Sequence, residues 1–224
     1  MMEDARSYQE LRVGFTAAVS HELRTPLARL LALLESAELP GADRDGLLSE
    51  AREQVEQMSE LIDDVLFLSE LESGRQVVAL GGTAALPVLE KARDRLADSA
   101  ERAGVTIVID SAPDVELPLR RRMLQVVVEN LALNAVRYAG PDSTLTLAAR
   151  PRLLEVADDG RGVEEDELSR LFERFYRGDR ARASRGTGLG LAIVKHVVAS
   201  AGGRVEAAGG PGRGLRVTCS FPAP

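Results

Sequence analysis

The chain has one cysteine, two histidines and two lysines among 224 residues. The lone Cys219 excludes an internal disulfide framework and reads as a small core residue in a terminal strand. No apolar run reaches the length of a bilayer span, and no signal-peptide pattern opens the chain. A cytoplasmic location is therefore expected, with no membrane contact from these residues. With a net charge of −7 the chain lacks a broad basic footprint, so nucleic acid is not an expected partner. The basic residues are nearly all arginine, the lysines being Lys91 and Lys195, and no function attaches to that imbalance. What is present is ordinary for a soluble protein: 45% apolar and 28% charged residues, enough for one large domain or two smaller ones.

One of the two histidines, His21, has unusual neighbours, in Ser20-His21-Glu22-Leu23-Arg24-Thr25-Pro26-Leu27. A spacing of four puts His21 and Thr25 on the same helical face. Pro26 removes the backbone donor that would have bonded the Glu22 carbonyl, weakening the helix just past the histidine. Apolar residues recur at Phe15, Val19, Leu23, Leu27, Leu30 and Leu34. At about 100° per residue, His21 falls far from the centre of that stripe. It is expected to face water or a partner. A lone surface histidine usually means nothing, but neutral imidazole is a good nucleophile, and Glu22 could orient the ring or accept its proton.

Composition and periodicity change near residue 75. Before it lie two long helical patterns: residues 7–38, broken by Pro40-Gly41, and a second carrying Ala51, Val55, Met58, Ile62, Val65 and Leu68. Asp43 or Asp45 could cap the second helix. Two helices cannot bury such a seam alone, whereas two copies can, as a four-helix bundle; a homodimer is expected. A plain coiled-coil element would explain the seam but not the polar cluster at His21. After residue 75 the pattern reads strand 76–80, helix 86–102, strand 105–110, helix 119–138, and a hairpin of strands 145–149 and 153–157. A short helix near Glu164, a Gly- and Arg-rich loop over 177–188, a helix to residue 200 and strands 204–208 and 215–221 complete it. This predicts an α+β sandwich, a mixed sheet with helices on one face. The Gly-rich stretch 207–212 reads as a hairpin turn.

Three constellations in the second half carry chemistry. Asn130, Asn134 and Arg137 form a polar stripe beside an apolar face of Leu124, Val128, Leu131 and Ala135. Carboxamide oxygens suit hydrated Mg²⁺, and an arginine one turn on suits phosphate; a merely polar helix face is the alternative. Asp158-Asp159-Gly160-Arg161-Gly162 follows a strand directly. Its glycines allow a sharp turn and a close ligand, and an acidic strand end can accept a hydrogen bond from an exocyclic amine. An acidic turn is the plainer reading. Gly186-Thr187-Gly188-Leu189-Gly190-Leu191 runs into a helix, offering free N–H groups to phosphates, with Arg174, Arg177, Arg180, Arg182 and Arg185 upstream. It is no Rossmann fingerprint and lacks a P-loop lysine.

In this order the pieces resemble the catalytic core of a sensor histidine kinase, over essentially the whole chain. The octapeptide at His21 resembles the family's H box and residues 130–138 its N box. Residues 158–162 and 186–190 resemble its two glycine boxes, and Leu171-Phe172-Glu173-Arg174-Phe175-Tyr176-Arg177 its aromatic box. The resemblance implies a dimerisation and phosphotransfer domain over residues 1–74 and a Bergerat-type ATP-binding domain over 75–224, hinged near residues 72–75. It makes His21 the phosphoacceptor, Glu22 its base, and Thr25 the residue that places water for dephosphorylation of a partner. It gives Asn134 a Mg²⁺ contact beside Asn130, and gives Asp158 the adenine amine. Tyr138 then lines the nucleotide pocket, Arg174 and Arg177 reach phosphate, and Gly160, Gly162, Gly186, Thr187, Gly188, Leu189 and Gly190 form the ATP loops. Arg137 stands where the family more often has lysine. ATP and Mg²⁺ are the implied cofactors; a response regulator receiver domain is the implied partner. Family members usually carry upstream membrane segments, so a longer parent is expected to be membrane-anchored. Two other classes are the alternatives: a non-catalytic dimeric scaffold, and a gyrase- or chaperone-type ATPase using Glu129 to activate water.

Overall fold

The computed structural model describes residues 2–73, 81–178 and 186–223, with side chains from residue 16 onward. These residues form two compact units, the first running through Ser69 and the second holding nearly all that follows.

The first unit is built on two helices, α1 (Met2–Ala37) and α2 (Arg44–Glu72). Pro26 lies inside α1, which continues past it. The break at Pro40-Gly41 occurs where predicted, Gly41 taking a left-handed φ of 79°. Of the two candidate caps Asp43 acts: its Oδ1 accepts the Gly46 N–H at 3.1 Å. Ala51, Leu61, Leu68 and Leu71 of α2 are buried. Leu27, Leu31 and Leu34 of α1 remain about half exposed, as do Leu48, Val55, Ile62 and Leu66 of α2. Leu48, Val55 and Ile62 are seven residues apart, the spacing of a seam that wants a helical partner.

The second unit contains β1 (Thr83–Ala84), α3 (Leu86–Ala103), β2 (Val105–Ser111), β3 (Glu116–Leu117) and α4 (Arg121–Tyr138). It continues with β4 (Ser143–Arg150), β5 (Leu153–Asp158), α5 (Gly190–Ser200), β6 (Arg204–Gly209) and β7 (Leu215–Ser220). Five strands form one sheet in the order β2-β4-β5-β7-β6. Only β2 and β4 are parallel; the other pairs are antiparallel, so the sheet is mixed as expected. Its register separates two faces. Ile109, Leu147, Val156, Val217 and Ala207 lie in one row across all five strands. Val108, Thr146, Ala157, Arg216 and Ala208 form the adjacent row on the opposite face. Leu147, Val156 and Val217 are buried while Val108 and Arg216 are exposed, so the core lies on the first face, against α3, α4 and α5. Cys219 is fully buried in β7, its thiol pushed up to about 12 by desolvation: a core residue, not a reactive one.

Three details differ from the sequence reading. The two-stranded sheet of β1 and β3 was not foreseen; at two residues each, these strands carry no periodicity to read. Helix α4 starts at Arg121, because Leu119 is fully buried and its carbonyl accepts the Thr83 hydroxyl at 2.6 Å. The segment after Glu164 is a run of turns rather than a helix. Its backbone bonds join residues three apart: Glu167 to Glu164, Arg170 to Glu167, Glu173 to Arg170. The predicted strand 76–80 lies outside the described residues, as do Arg180, Arg182, Arg185 and the Gly74-Arg75 end of the expected hinge.

Candidate functional site

His21 stands on α1 with its side chain 75% exposed, off the apolar stripe as predicted. Its Nδ1 lies 3.6 Å from Glu22 Oε1, within reach of a hydrogen bond after a small rotation. Glu22 is thereby set beside Nδ1 rather than Nε2. Thr25 is exposed one turn on, and His21, Arg24, Thr25, Ala28, Arg29 and Ala32 line one open depression along the helix. Ser20 turns its hydroxyl back to the Thr16 carbonyl at 2.8 Å, so it does not compete for the histidine.

In the second unit, α4 places Asn130 and Asn134 half-buried and Arg137 exposed, beside the buried Leu124, Val128, Leu131 and Ala135. The Asn130 Nδ2 donates to the Val126 carbonyl at 2.8 Å, which fixes the direction of its Oδ1. The first residue of α5, Gly190, lies against that oxygen: a Cβ at Gly190 would overlap Oδ1. Thus the glycine at the start of α5 lets the helix N-terminus approach the asparagine stripe, and both constellations share one place. Leu189 anchors the loop by complete burial and Gly188 has φ 70°, with Gly186 and Thr187 before it in the chain. Tyr138 is the half-buried last residue of α4. Arg174 is exposed and Arg177 half-buried, in the segment ahead of the glycine loop.

The Asp158 turn is tighter than its sequence suggested. Asp158 Oδ1 accepts the Gly160 N–H at 3.0 Å and the Leu215 N–H at 3.4 Å. Desolvation by burial raises its pKa above the ordinary carboxylate range, and the two backbone donors pull it part of the way back. With both donors on Oδ1, Oδ2 keeps its acceptor capacity for an incoming amine. Gly160 crosses the end of α4 so closely that a Cβ would overlap the Ala139 carbonyl oxygen, and Arg161 N–H bonds that oxygen at 2.9 Å. Gly162, with φ 67°, faces the Gly210 and Gly214 carbonyls across the β6–β7 turn. Sequence reasoning missed Gly214, whose N–H donates to the Gly160 carbonyl at 3.0 Å and so closes the turn from the other side. The only signal was its place at the end of a Gly-rich hairpin.

Glu129 directly precedes Asn130 but is committed elsewhere. Arg95 on α3 donates through one nitrogen to both its oxygens, at 3.0 and 2.9 Å. Among the described residues no three His, Cys, Asp or Glu side chains cluster to hold a metal ion. The Asn130 and Asn134 carboxamide oxygens are ligands of the kind that would suit Mg²⁺, an ion that keeps waters and needs few protein ligands.

Two family models match the chain. The His Kinase A (phospho-acceptor) domain covers residues 11–74, and the Histidine kinase-, DNA gyrase B-, and HSP90-like ATPase covers residues 120–224. The chain is 38% identical to the phosphate regulon sensor protein PhoR of Pseudomonas aeruginosa, over 95% of this chain and 50% of that protein. It is 31% identical to the sensor-like histidine kinase SenX3 of Mycobacterium tuberculosis, over 98% of this chain and 56% of that protein. The histidine kinase AdeS of Acinetobacter baumannii superposes with a TM-score of 0.72 at 25% identity, covering 90% of this chain and 97% of AdeS. A structure of full-length ShkA in complex with AMPPNP matches with a TM-score of 0.63 at 29% identity, over 93% of this chain and 46% of that one. These matches define a histidine phosphoacceptor domain followed by an ATPase-type domain. The chain belongs to the sensor histidine kinase family, of which it is the catalytic core. It spans about half the length of the curated relatives it matches. Among the described residues no helix is long and apolar enough to cross a membrane.

Proposed function

We propose that this chain is a protein histidine kinase that transfers the γ-phosphoryl group of ATP to His21 and then to an aspartate of a response regulator receiver domain. The observation that carries the reading is His21, exposed on a helix of the phosphoacceptor model with Glu22 at Nδ1. A proton on Nδ1 facing Glu22 leaves the Nε2 lone pair as nucleophile. As Nε2 bonds to phosphorus, the bond to the ADP oxygen breaks, and Glu22 takes the Nδ1 proton. ADP leaves with the electron pair. Little covalent chemistry falls to the rest of the protein; positioning and charge neutralisation do most of the work.

The ATP side rests on residues 130–138, 158–162 and 186–190, and on the nucleotide analogue held by ShkA. Asp158 accepts the adenine amine, Tyr138 lines the pocket, and the N–H groups ahead of α5 receive phosphate, with Arg137, Arg174 and Arg177 adding charge. Asn134, beside Asn130, would hold Mg²⁺, which would neutralise charge on the phosphate oxygens. Residues 1–74 act as the dimerisation and phosphotransfer domain and 75–224 as the ATP-binding domain. The half-exposed leucines of α1 and the heptad on α2 support a homodimeric four-helix bundle. Thr25 places a water for dephosphorylation of the regulator, and a longer parent would act in the cytoplasm from a membrane anchor.

Incubation with labelled ATP and Mg²⁺ tests the reading. Label should stay on the protein through alkali and be lost in acid, as a phosphorus–nitrogen bond requires. Label appearing only as inorganic phosphate would sink the proposal in favour of a gyrase-type ATPase. The Arg95 pair argues against that second reading, because it commits the Glu129 carboxylate to α3. Glu129→Gln should accordingly leave phosphoprotein formation within about twofold, since removing a half-exposed ion pair is worth only about 0–1 kcal/mol.

Asp158 predicts a pH dependence. A carboxyl whose folded pKa is raised contributes stability below its unfolded pKa and loses it as pH rises through the folded value. Ionised Asp158 therefore burdens the empty protein at neutral pH, and a donor bound to it offsets that burden. Nucleotide affinity should decline as pH falls through a value above the ordinary carboxylate range. Asp158→Asn should lack this acid limb and bind ATP about 10- to 100-fold more weakly at pH 7, having lost a charge-assisted bond and turned a donor toward either the ligand or Gly160 N–H. Equal affinity of both proteins at pH 7 would remove Asp158 from the site.

A further inference from the structure

The Glu167 carboxylate gathers three neighbours. Its Oε2 accepts the Glu164 N–H at 3.3 Å, and its Oε1 accepts the Tyr176 hydroxyl at 3.3 Å. The Gly178 backbone comes so close that a Cβ there would overlap Oε1 and stand 3.0 Å from Cδ. The Arg170 guanidinium lies over the Tyr176 ring, 4.4 Å from its centroid. Desolvation, reinforced by Glu167, holds the Tyr176 hydroxyl above its ordinary pKa, so it stays protonated and donates.

The residue before Tyr176 carries the consequence. Phe175 has φ 61°, a left-handed backbone rare for an aromatic residue. Its N–H donates to the Gly188 carbonyl at 3.0 Å. Gly188 is left-handed too, and a Cβ on it would come within 2.8 Å of the Phe175 Cα. Two left-handed backbones thus meet face to face, and neither can relax without moving the other. Two residues beyond Gly188, Gly190 rests against Asn130 Oδ1.

We propose that Glu167 is a positioning residue for the nucleotide loop: by holding Tyr176 it fixes Phe175, and through Phe175 it sets the backbone of Gly188 ahead of α5. Glu167 touches no phosphate itself. It fixes where the loop's N–H groups stand before a nucleotide arrives, so its loss weakens nucleotide capture rather than transfer to histidine. The inference rests on the histidine kinase reading.

Initial rates of His21 phosphorylation over a range of ATP concentrations, with kcat as the limiting rate, and equilibrium binding of a fluorescent ATP analogue to the full chain test it. Tyr176→Phe removes only the hydroxyl bond, Glu167→Ala removes the carboxylate, and Gly178→Ala pushes the carboxylate aside while keeping it. All three should raise KM for ATP, and the Kd of the analogue, about five- to tenfold with kcat within about twofold. Glu167→Gln keeps an acceptor for Tyr176 and should recover to within about threefold of the unmodified chain. Unchanged KM in both Tyr176→Phe and Gly178→Ala overturns the proposal, even if Glu167→Ala fails to fold. A loss confined to kcat or thermal stability overturns it as well. An unmodified chain that binds no nucleotide overturns the kinase reading beneath it. An unmodified chain that binds as tightly as Tyr176→Phe and Gly178→Ala overturns this proposal alone.

Discussion

Replacing His21 by glutamine is expected to abolish labelled phosphoprotein, lowering its rate of formation at least about 10³-fold, while nucleotide affinity stays within about twofold. Glutamine approximates the ring's size and its polar end, but its amide nitrogen has no free electron pair for phosphorus. The only other histidine, His196, is half-buried on α5 and has no motif around it. Glu22→Gln should be milder, slowing the reaction about 10²-fold or more, in the range that a positioned base contributes. It keeps the nucleophile and replaces the carboxylate base 3.6 Å from Nδ1 by a neutral amide. Thr25→Ala should leave autophosphorylation intact and slow loss of phosphate from a regulator. Label at the ordinary rate in His21→Gln would transfer the acceptor role elsewhere, and the phosphorylated peptide would say where.

How much of this was legible depended on whether the signal was a side-chain pattern or a backbone contact. The long helices, the mixed sheet and the antiparallel β4–β5 pair followed from periodicity, because burial on one side leaves a repeat of about 3.6 or of 2 in the chain. The exposure of His21 followed in the same way. The turns after Glu164 were misread as a helix because acidic residues ahead of apolar ones also mark a helix start. Only the Glu167 contacts reveal that this side chain bonds backwards into the turn. The Asp158 turn was legible as an acidic residue among glycines, but its construction was not. Gly160 abuts Ala139, and Gly214 closes on Asp158, across 21 and 56 residues of chain. Nothing local encodes such pairs. A glycine records that a side chain is intolerable, not which backbone excludes it.

That distinction can be measured in one hairpin. Gly214→Ala is expected to destabilise the second unit by about 3 kcal/mol or more and to eliminate nucleotide binding, whereas Gly212→Ala should cost only about 1 kcal/mol. Both glycines are left-handed, with φ of 70° and 69°, so the conformational penalty is the same. They differ in surroundings. A Cβ on Gly212 meets nothing within 4 Å. A Cβ on Gly214 would overlap the Asp158 carbonyl oxygen and come within 2.6 Å of its carbonyl carbon and 2.9 Å of the Asp159 Cα. These are backbone atoms at the end of β5, which cannot swing aside as a side chain would. Relief requires parting β5 from the start of β7, which breaks the Gly214 N–H bond to Gly160 and the Leu215 N–H bond to Asp158. The turn then loses the geometry that holds the Asp158 carboxylate for an incoming amine. Thermal unfolding and equilibrium nucleotide binding of the two variants decide the point. Equal stability losses at both glycines would mean that φ alone governs them and that the close approach at Asp158 contributes nothing.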